Sequence, residues 1–357
     1  MQTETGAGST SPWFGSIMTA PVGLNKAKDV IVGIGNALVD ILSHADDAFV
    51  EKTGFAKGGM NYVGTDFIDK MIAMLPNMPV VVPGGSACNT IIGVGKLGGK
   101  ARFIGKCGQD AMANLFSKEL QNSHVDPFLM TSASSTGRVL SIVTPDAQRS
   151  MFTYLGAASE LVPGEIARCS FLDAAVVHIE GYLLFNKDLI IKALRRAKED
   201  GALVSLDLAS YTVVESSKEL LEAIVTEYVD ILMANEDEAA AFTGHTDEQK
   251  AIQALSERAK VAVLKVGERG SYIAHDGAIV KIDPFGKGPA IDTTGAGDLW
   301  ASGFLFGLTR GYTVEKCGRL ASACGGEVCQ VVGATIPDDG WTRIKRIREE
   351  SWQNKNG

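Results

Sequence analysis

Asp292-Thr293-Thr294-Gly295-Ala296-Gly297-Asp298 runs without a break into Leu299-Trp300-Ala301-Ser302-Gly303-Phe304-Leu305, an apolar stretch that reads as a helix over Gly297–Leu308. The two glycines let the main chain approach a ligand closely. The first N–H groups of a helix have no acceptor inside it. Those donors and the positive end of the helix dipole suit an anion whose charge spreads over several oxygens, as in a phosphoryl group in transfer. Asp298, in the first turn, is placed to accept a proton from an attacking hydroxyl. A plain turn with Asp298 as a helix-start residue needs fewer glycines, threonines and aspartates than this stretch holds.

Upstream, strands and helices alternate. Strands are expected near Ala174–Ile179, Leu203–Asp207, Tyr228–Met233 and Val261–Val266, and helices near Lys187–Lys198, Lys218–Val225, Glu236–Phe242 and Asp247–Ala259. A hairpin over Ser271–Ile282 and a helix over Val314–Val328 complete this half. The first half offers strands Val30–Gly35, Val80–Val82 and Ala101–Lys106, with helices Asp66–Leu75, Ser86–Leu97 and Ala111–Gln121. Alternation of this kind predicts an α/β fold, a doubly wound, mostly parallel sheet flanked by helices. Thr136–Thr144 and Arg149–Leu155 bracket Pro145-Asp146-Ala147-Gln148 as a hairpin would, and predict a small β appendage.

Four further motifs close strands or open helices. Gly84-Gly85-Ser86-Ala87-Cys88-Asn89 lets a ligand lie against the main chain, and Asn89 falls one turn into the helix with an amide to offer. A strand-to-helix turn capped by Ser86 explains the same residues equally well. Gly33-Ile34-Gly35-Asn36-Ala37-Leu38-Val39-Asp40 suggests a dinucleotide fingerprint, but Leu38 stands where the third glycine belongs. What remains is Asn36 and Asp40, suited to a vicinal diol or to turn and capping work. Asn235 and Glu238 share a helix face and suit either water around Mg²⁺ or a solvated acidic first turn. Lys265-Val266-Gly267-Glu268-Arg269-Gly270 borders a nucleotide or simply turns a hairpin. In open parallel sheets ligands bind beyond the carboxyl ends of strands, where these motifs are expected to converge. No Walker A sequence is present.

Composition removes other classes. With 45% hydrophobic and 21% charged residues in 357, the chain is ordinary globular protein. A net charge of −8 argues against a nucleic-acid partner. No stretch approaches the roughly 18 apolar residues of a membrane span. The six cysteines form no C-x-x-C pair and read as reduced, buried thiols of a cytoplasmic protein. The five histidines are scattered, so no zinc site is expected. Residues 1–28, rich in Gly, Ser and Thr, read as a disordered leader or as sequence upstream of a start at Met18, not as a signal peptide.

Together these motifs resemble the ribokinase-like (PfkB) carbohydrate kinase family over about Val30 to Pro337. Asp292–Asp298 matches its D-T-x-G-A-G-D signature, Gly84–Asn89 its glycine-pair signature and Asn235–Glu238 its N-x-x-E motif. The resemblance implies ATP and Mg²⁺, with Asp298 as base and the amides of Gly295, Ala296 and Gly297 as the anion hole. Asn235 and Glu238 would serve Mg²⁺ through water, and Asn235, Lys265, Gly267, Gly270 and Thr293 would line the ATP site. It also implies a large domain of residues 29–40, 64–124 and 156–357, with a lid of 41–63 and 125–155 that closes over the site. Several relatives use a monovalent cation, K⁺ here, near Asp292. Gly35-Asn36 followed by Asp40 is most similar to the branch that phosphorylates adenosine, and implies that Asn36, Asp40, Gly84, Gly85 and Asn89 hold a ribose. Arg149 resembles that branch's arginine at the transferring phosphate, and Tyr182 either stacks on a base or belongs to the core. A sugar kinase acting on ribose, fructose or a keto-deoxy sugar acid, or an inosine or guanosine kinase, stands as the alternative. Monomer and homodimer both remain open.

Overall fold

The computed structural model describes residues 23–353 except Lys26, Ala147, residues 168–170 and Lys287. The expected leader therefore lies largely outside the described residues, as does Cys169. The strands, in chain order, are β1 (Val30–Ile34), β2 (Leu38–His44), β3 (Gly59–Tyr62), β4 (Val80–Gly84), β5 (Lys100–Cys107), β6 (Val125–Thr131) and β7 (Gly137–Val143). They continue with β8 (Arg149–Tyr154), β9 (Ala174–Glu180), β10 (Leu203–Asp207), β11 (Ile231–Asn235), β12 (Val261–Lys265), β13 (Ser271–His275) and β14 (Ala278–Ile282).

Among the described residues these strands build two sheets. The larger, of nine strands, has the order β14-β13-β12-β11-β10-β9-β1-β5-β6, and the smaller, of five, the order β3-β8-β7-β2-β4. Pairing runs parallel from β6 across to β12 and antiparallel only at β13 and β14. Strands buried on both faces read as continuous apolar runs, and every residue of β9 is buried. Val177 and Ile179 face one core layer, under the Lys187–Glu199 and Lys218–Tyr228 helices. Val176 faces the other, shared with the Ser86–Lys96 and Ala296–Thr309 helices. The Ala296–Thr309 helix is buried from Leu299 through Leu308, which accounts for its lack of a polar stripe.

The small sheet differs from the expected lid in four places. Val125–Thr131 was expected there, but β6 pairs with β5 and forms the edge of the large sheet. Pro127 fits that position, because an edge strand need not donate on its outer side. Val80–Gly84, expected in the large domain, instead pairs with β2 in the small sheet. The helix Thr65–Ala73, also given to the large domain, buries Ile68 and Met71 in the small sheet's own core with Phe49, Leu140 and Phe152. The second strand begins at Leu38, so Asp40 sits on the small sheet and not in a turn beyond β1.

The chain leaves the large sheet's centre in opposite directions from β1 and β9, which lie side by side. That pair is the topological switch point, where a crevice opens at the carboxyl ends of the strands. The β2 strand leaves from this crevice, so the small sheet stands over it.

Candidate active site

Asp298 lies in the first turn of the Ala296–Thr309 helix. Ser86 Oγ donates to its Oδ1 at 2.7 Å, Asn89 Nδ2 donates to its Oδ2 at 3.0 Å, and Thr90 Oγ1 donates to its carbonyl at 3.1 Å. Two helix starts, at Ser86 and Ala296, thus face each other across this carboxylate. Burial pushes its pKa above the ordinary value, and the bonds from Asn89 and Ser86 pull it back only in part. Asn89 was expected on a ribose; its amide nitrogen here donates to the Asp298 carboxylate.

Gly295 precedes that helix with φ of 72°, a left-handed conformation that non-glycine residues rarely adopt. Of the three expected anion-hole amides, that of Ala296 donates to the Thr293 carbonyl at 3.1 Å. Those of Gly295 and Gly297, and of Asp298 itself, meet no protein acceptor among the described residues. Asp292 braces the turn: Thr294 donates to its Oδ1 from N at 2.9 Å and from Oγ1 at 2.6 Å, and Gly333 N donates to Oδ2 at 2.8 Å. Burial raises the Asp292 pKa, but these bonds outweigh it and hold the group below its usual value.

A cavity of about 410 Å³ opens beside this turn, lined by Asn36, Asp40, Gly85, Ser86, Arg149, Glu180, Tyr182 and Thr294 among others. Its apolar wall includes Leu38, Met60, Tyr62, Val139, Met151, Leu155, Leu183 and Phe185. Asp40 and Arg149 reach it from the small sheet and Asn36 and Glu180 from the large one. Asp40 is pushed up to about 7 by burial, against the pull of Arg149 and with a further push from Asp298. Gly84 does not line the cavity; a Cβ there would run into the Asp40 carboxyl group.

Glu180, unread in the sequence, ties the switch point together. Asn36 donates to its Oε1 from both N, at 2.9 Å, and Nδ2, at 2.6 Å, while Ala87 N donates to its Oε2 at 2.9 Å. Glu180 is 1% exposed, and burial raises its carboxyl group to about 7 against those bonds. A Cβ on Gly35 would collide with it, and one on Gly33 would collide with Ile91. The Gly33-x-Gly35 pair that suggests a dinucleotide loop is thus a packing device. The available signal was an acidic residue at the carboxyl end of a strand otherwise too apolar to carry one.

The expected ATP residues do not gather in this cavity. Thr293 is exposed, Asn235 caps the Glu236–Thr243 helix, and Gly267 and Gly270 flank the turn from β12 to β13. All lie along the open carboxyl edge next to the Asp292–Asp298 turn. Lys265 is withdrawn from that edge and pairs with Asp207. Glu238 closes a capping box: Asn235 donates to its Oε2 from N at 2.8 Å and to Oε1 from Nδ2 at 2.7 Å. Burial, with the Asp207 charge, raises Glu238 to about 7. Among the described residues no three His, Cys, Asp or Glu side chains could hold a metal together. A Mg²⁺ that arrives on ATP phosphates keeps several waters and needs no such cluster; Asn235 and Glu238, which would order those waters, here spend their side chains on the capping box.

Residues 65–340 match the pfkB family of carbohydrate kinases. The chain belongs to that family. Among solved structures it resembles an adenosine kinase from Sinorhizobium meliloti, at 33% identity and a TM-score of 0.80 over 90% of this chain and 99% of that one. A probable sugar kinase from Rhizobium etli is as similar, at 31% identity and a TM-score of 0.82 over 90% and 98%. A 5-dehydro-2-deoxygluconokinase from Bacillus subtilis is 28% identical over 255 residues, 67% of this chain and 78% of its own. The pfkB kinases phosphorylate hydroxyl groups of sugars or nucleosides with ATP, and this chain is such a kinase. Among the described residues no helix is long and apolar enough to cross a membrane.

Proposed function

We propose that this kinase transfers the γ-phosphate of ATP to the 5′-hydroxyl of adenosine, giving AMP. The observation that supports a nucleoside over a free sugar is the cavity wall. Beside Asp40 and Asn36, which suit a ribose, stands an apolar and aromatic surface that a polyhydroxylated sugar has no use for and a purine covers. Tyr182, half-buried against the main core, is the stacking surface in this reading.

Asp298 takes the proton of the attacking hydroxyl as its oxygen bonds to phosphorus and the bond to the ADP leaving oxygen breaks. The free amides of Gly295, Gly297 and Asp298 hold the transferring oxygens, and Arg149 balances their charge from the small sheet. Mg²⁺, when bound with ATP, neutralises phosphate charge. The small sheet closes as a lid and keeps water from the phosphoryl group.

ATP-dependent phosphorylation of adenosine, inosine, guanosine, ribose, fructose and 2-keto-3-deoxygluconate, with Mg²⁺ and with or without K⁺, tests the reading. Adenosine is expected to show the highest kcat/KM, by about tenfold or more. A sugar or sugar acid in first place replaces the substrate and leaves the kinase chemistry intact; the similarity to sugar kinases keeps that outcome in the panel. Gly84→Ala displaces the Asp40 carboxyl group and is expected to raise the acceptor KM about tenfold, since a hydrogen bond to a charged group contributes roughly 1.5–3 kcal/mol. An unchanged acceptor KM removes Asp40 from substrate binding.

A further inference from the structure

An ion pair lies on the sheet side of the phosphoryl-transfer turn, and nothing in the transfer described above employs it. Lys265 ends β12 and Asp207 ends β10. Lys265 Nζ donates to Asp207 Oδ2 at 2.6 Å, and the two side chains keep only 14% and 7% of their exposure. Water screens such a pair poorly, and removing either member leaves a buried charge unmatched. A Cβ at Gly297 would stand 2.9 Å from the Lys265 ammonium. Gly297 is absent from the residues with positive φ, unlike Gly295, so its missing side chain serves proximity and not backbone conformation. The helix start is therefore seated directly on an ammonium group. That ammonium lies beside Gly297, one residue before Asp298.

We propose that Lys265, held in place by Asp207, is a positioning residue for phosphoryl transfer, adding fixed positive charge beside the anion-holding amides and the base Asp298. The role rests on the assignment of Asp298 and the Ala296–Thr309 helix start as the transfer site. Preorganised charge aimed at oxygens that gain charge in the transition state lowers the barrier without reorganisation. Asp207 keeps the buried lysine protonated: burial lowers its pKa, but Asp207 and then Glu238 raise it above the ordinary value. On Asp298 the pair acts with opposite signs, the Asp207 charge raising its pKa and the Lys265 charge lowering it. The other groups in electrostatic reach are Glu238 on the Glu236–Thr243 helix, His178 and Glu180 on β9, Asp40 on β2, Cys88 on the Ser86–Lys96 helix, and Tyr182. His178 is pulled down to about 4 by burial and Cys88 is pushed up, so both stay neutral near pH 7. Glu180, Glu238 and Asp40 are each raised to about 7 and titrate in the same profile, so the direction of a shift between variants decides the matter, not its midpoint.

The test compares Lys265→Met, Lys265→Arg, Asp207→Asn and the double variant Asp207→Asn/Lys265→Met with the parent and Asp298→Asn. It measures kcat and KM against pH with MgATP and the best acceptor of the panel, alongside thermal unfolding. Lys265→Met is expected to lower kcat about 10- to 100-fold with acceptor KM within about threefold, and to move the acid limb to higher pH. Asp207→Asn moves the limb to lower pH, because the charge that raises the Asp298 pKa is gone. Lys265→Arg restores most of kcat. The double variant leaves no unmatched charge and so folds, yet keeps the kcat loss of Lys265→Met. If the folded Lys265 and double variants retain parental kcat, or both single variants move the limb the same way, the role is overturned while that of Asp298 stands. An Asp298→Asn variant as active as the parent overturns both.

Discussion

Asp298→Asn is expected to lower kcat by about 10²- to 10⁴-fold while acceptor KM changes by no more than a few fold. The carboxylate oxygens face Ser86 and Asn89, so a proton acceptor is held rigidly between two helix starts. Asparagine keeps the shape and one acceptor oxygen but cannot take the proton. Its amide nitrogen must also face either the Asn89 amide, at the cost of a hydrogen bond of about 1 kcal/mol, or Ser86 Oγ, which can turn to accept it. The variant no longer buries a charge, and this relief offsets any lost bond, so the melting temperature should move little. The loss is then a loss of chemistry and not of folded protein. In the parent, burial raises the Asp298 pKa, so activity falls as pH drops through that raised value. The residual rate of Asp298→Asn should lack this group's share of the acid limb. A rate within about fivefold of the parent, on protein that melts like the parent, removes Asp298 as the base.

What could be read in the sequence follows from where the chemistry is written. Asp292–Asp298 concentrates glycines, hydroxyls and carboxylates in one stretch, and the structure builds a single turn from them. The parallel sheet was equally legible, because β9, β10 and β12 are apolar runs spaced by helices of ordinary length. The roles of single residues were less so. Asn89 carries an amide at the right distance from a glycine pair, but only the fold reveals that the nearest acceptor is Asp298, 209 positions away. Lys265 reads as a cation at a nucleotide's edge, and its partner Asp207 belongs to a strand two places along the sheet. Neither spacing nor periodicity carries that pairing. The lid boundaries failed for a related reason. Local turn signals mark where strands begin and end, while the sheet a strand joins depends on partners far along the chain, as for β4 with β2 and β6 with β5.

Glu180 is the sharpest case of a residue legible only in three dimensions, and its removal carries the second large expectation. Glu180→Ala leaves two backbone donors, Asn36 N and Ala87 N, and the Asn36 side-chain amide without their acceptor. At roughly 1–3 kcal/mol for each of the three buried unsatisfied groups, the loss is expected to be about 3–9 kcal/mol, enough to threaten folding at 37 °C. It would also release Asn36 and the start of the Ser86–Lys96 helix, which holds Asp298. Glu180→Gln removes the charge and keeps the two bonds from Asn36, while its amide nitrogen faces Ala87 N and forfeits that one bond at every pH. The folded pKa of Glu180 is raised from 4.5 to about 7, so the folded state holds its proton more tightly than the unfolded chain does. Its contribution is therefore complete below about pH 4.5 and is lost as pH rises to about 7, on the order of 3 kcal/mol in all. Glutamine does not titrate. Relative to Glu180→Gln the parent should be at its most stable near pH 5 and should lose that advantage by pH 8, with Glu180→Ala below both at pH 5. Thermal or urea unfolding of the three proteins at these two pH values checks this. Parallel behaviour of parent and Glu180→Gln would mean that Glu180 stays ionised across the range, its three hydrogen bonds outweighing its burial.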